Sequence, residues 1–238
     1  SGSVRSGIDV EAAWALTTGQ ASLVVAVLDT GIRAEHPDLA TKILPGYDFV
    51  GYSGDASVAS ANDGNGADAD PSDPGDWITE AEDASGFFAG CRVSDSSWHG
   101  THVSGTIAAN SNNAAGVAGI AWGSKVLPVR VLGKCGGYIS DIADGIRWAA
   151  GLSVSGVPTN TNVAKVINMS LGGSGACGTT YQTAIDAATA AGTLVVVAAG
   201  NENDNVSNHR PGNCNNVLAV AGAALVFWYS GQDKIIIN

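Results

Sequence analysis

Two histidines stand three residues apart in the stretch W-H-G-T-H-V-S-G-T-I-A-A, Trp98 to Ala109. They could clamp a metal, supply a catalytic base, or do neither. Zinc-binding histidine pairs on a helix usually stand at i and i+4 with a third ligand close by. Here the spacing is three and only His36 and His209 remain elsewhere, which disfavours metal. A base needs a carboxylate to accept from its imidazole and fix the tautomer. It also needs a donor for the charge that builds on an attacked carbonyl oxygen. Asp29, in L-D-T-G, and Asn201, in A-A-G-N, are of the right types. With His99 as base they would supply three parts of acyl-transfer chemistry, while a packed, hydrogen-bonded place in the helix is expected for His102.

Those residues matter only if the fold brings them together. Leu23–Leu28, Val126–Leu132, Val163–Met169 and Thr193–Ala199 are apolar runs rich in β-branched residues, and Val217–Ala221 is a shorter fifth. Runs without alternation predict strands buried on both faces of a parallel sheet. Ile139–Ala150 and Thr179–Ala191 have polar starts and glycine stops, which predicts helices between the strands. Alternating strands and helices make βαβ units, hence a three-layer α/β/α domain with a mainly parallel central sheet. Ligands bind beyond the carboxyl ends of such strands. Asp29, Ser170-Leu171-Gly172 and Gly200-Asn201 each follow a predicted strand directly. Gly51–Asp76 is Gly/Ala/Asp-rich without a period and reads as a long surface excursion.

"VAVLDTGI", "HPDL", "HGTHVSGTIAA", "VINMSLGG" and "VVAAGN" together resemble the subtilisin-like serine endopeptidases, in that family's order, from about Gly7 to Gly222. The resemblance implies that Asp29 orients the base, His99 is the base and Asn201 lines the oxyanion hole. It makes Gly136-Gly137-Tyr138 and Ser170-Leu171-Gly172 the two backbone edges between which a peptide lies as an added strand. It also makes Ala198-Ala199-Gly200 a wall of the primary specificity pocket. Glu202 matches that pocket's rim, where it would favour basic side chains or simply be an exposed glutamate.

Calcium has two candidate places. By the resemblance, Asp38 matches a family ligand, completed by the loop Asn110–Val117, in which Asn112 and Asn113 compete for the side-chain role. The second place rests on composition: Asp63, Asp68, Asp70 and Asp73 crowd a glycine-rich turn, and hard cations want several oxygens. The alternative there is a merely solvated acidic loop. Cys91, Cys135, Cys177 and Cys214 include no C-x-x-C pair. They read as two disulfides of an exported protein, with four buried thiols as the alternative. Topology favours Cys91–Cys135, both reaching the rim where His99 sits, and Cys177–Cys214, both beside the Ser170 edge.

The acidic excess, 22 Asp and Glu against 11 Lys and Arg, excludes nucleic acid and anionic membranes as partners. No apolar run approaches the ~20 residues needed to span a bilayer, and no signal-peptide layout opens the chain. The family's Gly-Thr-Ser-Met-Ala nucleophile motif is absent. Ser230, in W-Y-S-G-Q, has only eight residues after it and is a poor substitute. Residues 1–238 are therefore expected to form a single peptidase catalytic domain lacking its C-terminal part with the nucleophile serine. Three accounts compete for that gap: a sequence incomplete or altered near its C-terminus, an autolytic fragment, or an inactive relative. The expected protein is a secreted, extracellular serine endopeptidase using Asp-His-Ser acyl-enzyme catalysis and structural Ca2+. It would be a monomer with a cleaved N-terminal pro-region, acting on protein or peptide substrates. The rival is a catalytically inactive fragment or pseudoprotease that binds peptide and calcium.

Overall fold

The computed structural model describes residues 8, 10–52 and 55–222. In chain order its strands are β1 (Val24–Asp29), β2 (Tyr47–Asp48), β3 (Lys125–Arg130), β4 (Val166–Met169), β5 (Gly173–Ser174), β6 (Leu194–Ala198), β7 (His209–Arg210) and β8 (Val217–Val220). The helices are α1 (Val10–Trp14), α2 (Asp55–Ala61), α3 (Glu80–Ala84), α4 (His99–Ala108), α5 (Ile139–Ala149) and α6 (Gly178–Ala190). Six strands form one sheet in the order β2-β3-β1-β4-β6-β8. Every pair in it is parallel. Strands β5 and β7 make a small antiparallel ribbon.

The order reverses at β1, whose neighbours β3 and β4 come later on either side. Crossovers that run in opposite directions lie on opposite faces when each keeps the right-handed sense. Accordingly α5 and α6 cover one face, burying Ile142, Ile146, Tyr181 and Ile185 against Leu28, Leu127, Ile167, Met169 and Val197. Helix α4 lies on the other face, with Val103 and Ile107 against Val27 and Val126. The architecture is three-layer α/β/α around a parallel central sheet.

Two expectations about the strands need correction. The run after Lys125 stops at Arg130, because the N–H groups of Val131 and Leu132 both turn to the Asp29 carbonyl, at 2.9 and 3.1 Å. Burial on both faces holds for β1 and β3 but not for β4, β6 and β8. On the side of α4, residues Val166, Leu194, Val196, Leu218 and Val220 line up through the strand registers. Leu194, Leu218 and Val220 there are 48, 52 and 50% exposed. Helix α4 packs mainly over β1 and β3, so among the described residues that half of the face is left partly uncovered. The acidic excursion is also less free than its composition implied. It contains α2, buries Ala61 and Asp73, and is stitched to the sheet through Asp48↔Asp68 and Ile32↔Ser72.

Candidate active site

Strand β1 ends by burying Asp29 completely, and the turn Thr30-Gly31 follows under the start of α4. Close approach depends on Gly100. A Cβ there would run into the Gly31 carbonyl oxygen and stand 3.0 Å from the Asp29 Cβ. With nothing there, His99 reaches the carboxylate, its Nδ1 lying 2.8 Å from Asp29 Oδ1 and 2.9 Å from Oδ2. An ionised carboxylate can only accept, so the proton sits on Nδ1 and Nε2 keeps its lone pair. The Asp29 hydrogen bond holds the His99 pKa above the ordinary histidine value, more than partial burial lowers it, with the charges of Asp29 and Asp76 adding to the rise.

The imidazole opens onto a cleft of about 550 Å³. Gly136, Gly137, Ser170, Leu171 and Gly172 line it, as do Ala198, Gly200, Asn201 and Glu202. The structure thus brings Asp29, His99 and Asn201 to one rim from the ends of β1 and β6 and the start of α4. Two expected residues do not line the cleft. Ala199 is buried behind the wall, and Tyr138 turns to a smaller cavity beside Phe87, Phe88 and the Cys91–Cys135 bond. Cys91 is joined to Cys135 and Cys177 to Cys214, with Cα separations of 5.5 and 5.1 Å. Ser230 lies outside the described residues.

His102 is a correction. It is exposed, in a groove with His36, Trp98, Thr106 and Val117, and among the described residues its ring makes no hydrogen bond. The reason is helical phase. Gly100, Ser104 and Ala108 are the buried positions of α4, and residue 102 falls about half a turn from both 100 and 104.

The four acids of the excursion each accept hydrogen bonds or pair with a cation within the protein. Asp63 pairs with Arg130 at 2.7 Å, and Asp68 accepts from Asn65 Nδ2 at 2.6 Å. Asp70 accepts from the Ser72 N–H at 3.0 Å, and Asp73 accepts from the Thr30 hydroxyl at 2.7 Å. Among the described residues no three His, Cys, Asp or Glu gather as a metal site. At Asp38 the donors present are N–H groups: Asn113 Nδ2 at 2.6 Å and the Val117 amide at 2.8 Å. These hold the carboxyl below its ordinary pKa, with Asn113 contributing most. Of the two asparagines, it is Asn113 whose side chain reaches Asp38. A half-turn of its amide would present oxygen instead of nitrogen, so the Asp38 carboxylate and an amide oxygen from the loop after α4 fit a hard cation.

Sequence reasoning missed Arg130. Buried at the end of β3, it donates from Nε to the Thr30 carbonyl at 3.2 Å, from Nη1 to Asp48 and Asp63, and from Nη2 to the Ala61 carbonyl. It ties the turn after Asp29 to the excursion. Burial pushes the Asp48 carboxyl up to about 7, against the pull of the Arg130 charge. Asp76 and Ser97 were missed as well. Asp76 accepts from the Ser97 amide at 2.6 Å and its hydroxyl at 2.7 Å, and Ser97 Oγ accepts the His99 amide at 3.3 Å. An arginine inside an apolar strand run was the one visible signal, because a buried cation demands carboxylates nearby.

Comparison with known proteins places this geometry. The sequence model of the subtilase family, Peptidase_S8, matches residues 20–226. An extracellular protease of Xanthomonas campestris is 54% identical over 220 residues, covering 92% of this chain and 36% of its own length. An extracellular basic protease of Dichelobacter nodosus is 53% identical over 204 residues, covering 85% of this chain and 32% of its own. A solved protease from Pseudoalteromonas arctica superposes with a TM-score of 0.81 at 56% identity, covering 90% of this chain and 60% of that one. The chain thus spans about a third of the length of the two relatives.

Proposed function

The chain belongs to the subtilase family, and from that premise we propose that it serves in a secreted serine endopeptidase. The observation that carries the proposal is the Asp29–His99 pair at the rim of a cleft that Asn201 also lines. Neutral His99, with its lone pair on Nε2, would take the proton of a serine hydroxyl as that oxygen attacks a peptide carbonyl. Buried Asp29 would stabilise the imidazolium that forms, and the Asn201 amide would donate to the carbonyl oxygen as it becomes an oxyanion. His99 would then return the proton to the departing amine, and water would repeat the sequence on the acyl-enzyme. Gly136-Gly137 and Ser170-Gly172 would hold an extended substrate backbone between them. The extracellular relatives support a secreted location, and the same reading carries a monomer matured by loss of an N-terminal pro-region.

The serine that this chemistry requires is not assigned to any described residue. Among the described residues Leu194, Leu218 and Val220 leave an apolar face of the sheet exposed. Calcium, where bound, would act structurally: Asp38 and Asn113 would hold it and tie the loop after α4 to the turn at Asp38.

The test is labelling of the protein from its natural source with a fluorophosphonate, followed by peptide mapping. Label on one serine and loss of casein hydrolysis are expected. A protein that neither labels nor cleaves casein would overturn the proposal in favour of a peptide-binding domain.

A further inference from the structure

Helix α4 starts without a cap of its own. Trp98, at the N-cap position, is left-handed with φ of 49° and makes no side-chain hydrogen bond to the first turn. The first N–H groups of a helix have no partner within it and must find one elsewhere. For His99 the partner is Ser97. For Gly100 it comes from another element, since its buried N–H meets Thr30 Oγ1 at 3.1 Å.

The Thr30 hydroxyl is free to accept there because its hydrogen is committed. It donates to Asp73 Oδ2 at 2.7 Å. Asp73 is buried and fixed in turn, accepting the Gly75 amide on Oδ1 at 2.8 Å and donating its own amide to the Ile32 carbonyl at 3.0 Å. Thr30 also touches the other half of the pair, since its amide donates to Asp29 Oδ1 at 2.8 Å. One residue therefore orients the carboxylate and ends the helix that carries the imidazole.

The geometry points to Thr30 as a cap of α4 supplied from outside the helix, with Asp73 setting the direction of its hydroxyl. Its role is to hold His99 in register with Asp29. Both are positioning residues for the proposed reaction, so the inference rests on the assignment of Asp29 and His99 as orienter and base. It also gives Asp73 a role other than cation ligand.

The test compares Thr30→Val, which keeps the shape and removes the hydroxyl, with Thr30→Ser, which restores it. Thr30→Val is expected to lower kcat about tenfold with KM within about twofold, because a slightly misplaced base slows chemistry more than binding. The His99 pKa, followed by NMR, should fall towards the ordinary histidine value in Thr30→Val and return in Thr30→Ser. Asp73→Asn should move both readouts in the same direction and carries the test if Thr30→Val does not fold. A lowered Tm with unmoved His99 titration and kcat would overturn the inference, as would failure of Thr30→Ser to restore them. If the unmutated protein cleaves nothing, the endopeptidase assignment falls on that result, and the NMR comparison alone decides the cap.

Discussion

His99 Nδ1 and both carboxylate oxygens of Asp29 lie within 2.9 Å across 70 residues of sequence. The carboxylate is fully buried while the imidazole is 45% exposed on its side chain. The pair therefore has a shielded end that fixes the proton and an open end that can exchange one.

The pH dependence follows from that asymmetry. The reaction requires neutral His99, and Asp29 raises its pKa. The acid limb of kcat/KM should therefore lie above about 6.5, the ordinary histidine value. In Asp29→Asn the limb should move down, and kcat should fall by about 10⁴. For stability the sign is the reverse. A raised histidine pKa contributes most below the unfolded value and is lost as pH rises through the folded one. Rate profiles and thermal melts between pH 5 and 9 check both directions.

Gly100→Ala should misplace the base. The added methyl meets the Gly31 carbonyl and the Asp29 Cβ, neither of which can yield without moving the site. A loss of about 1–3 kcal/mol of stability is expected from overpacking, with a larger proportional loss of kcat. Gly105→Ala is the control on the same helix, since a Cβ there meets nothing within 4 Å. Equal effects of the two substitutions on kcat would refute the assignment.

Arg130→Met should be among the most destabilising single changes in the chain. It leaves Asp48 buried without its cation and frees the Thr30 and Ala61 carbonyls. Removing one partner of a buried pair costs about 3–5 kcal/mol. Urea unfolding of the variant measures this, and a change under about 1 kcal/mol would show that the buried network contributes little.

If calcium binds at Asp38, chelation should lower the Tm, and Asp38→Asn should lower it without further response to chelator. Asp63→Asn, at the acid that serves Arg130, should keep the full response. An unchanged melt in excess chelator would remove calcium from the account.

Much of the fold was legible because its signals are local. Apolar, β-branched runs such as V-V-A-V-L predict a covered strand, as β1 is, and glycine stops end the two helices on the far face. The residue types at the strand ends then marked the rim. The use of each charge was not legible. Asp63, Asp70 and Asp73 look alike in an acidic run, yet one neutralises Arg130, one closes a local turn and one holds Thr30.

By itself the sequence determined the parallel α/β architecture and the three residue types that meet at the cleft, since periodicity and strand-end position are properties of neighbouring residues. Tertiary structure decided the rest: that His102 faces outward, that Arg130 joins the Asp29 turn to the excursion, that Thr30 caps the start of α4, and that among the described residues half of one sheet face is partly open. Each of these depends on which distant group arrives to satisfy a buried charge, an orphan N–H or an apolar face. Such partners come from crossovers tens of residues away, beyond the reach of any local pattern.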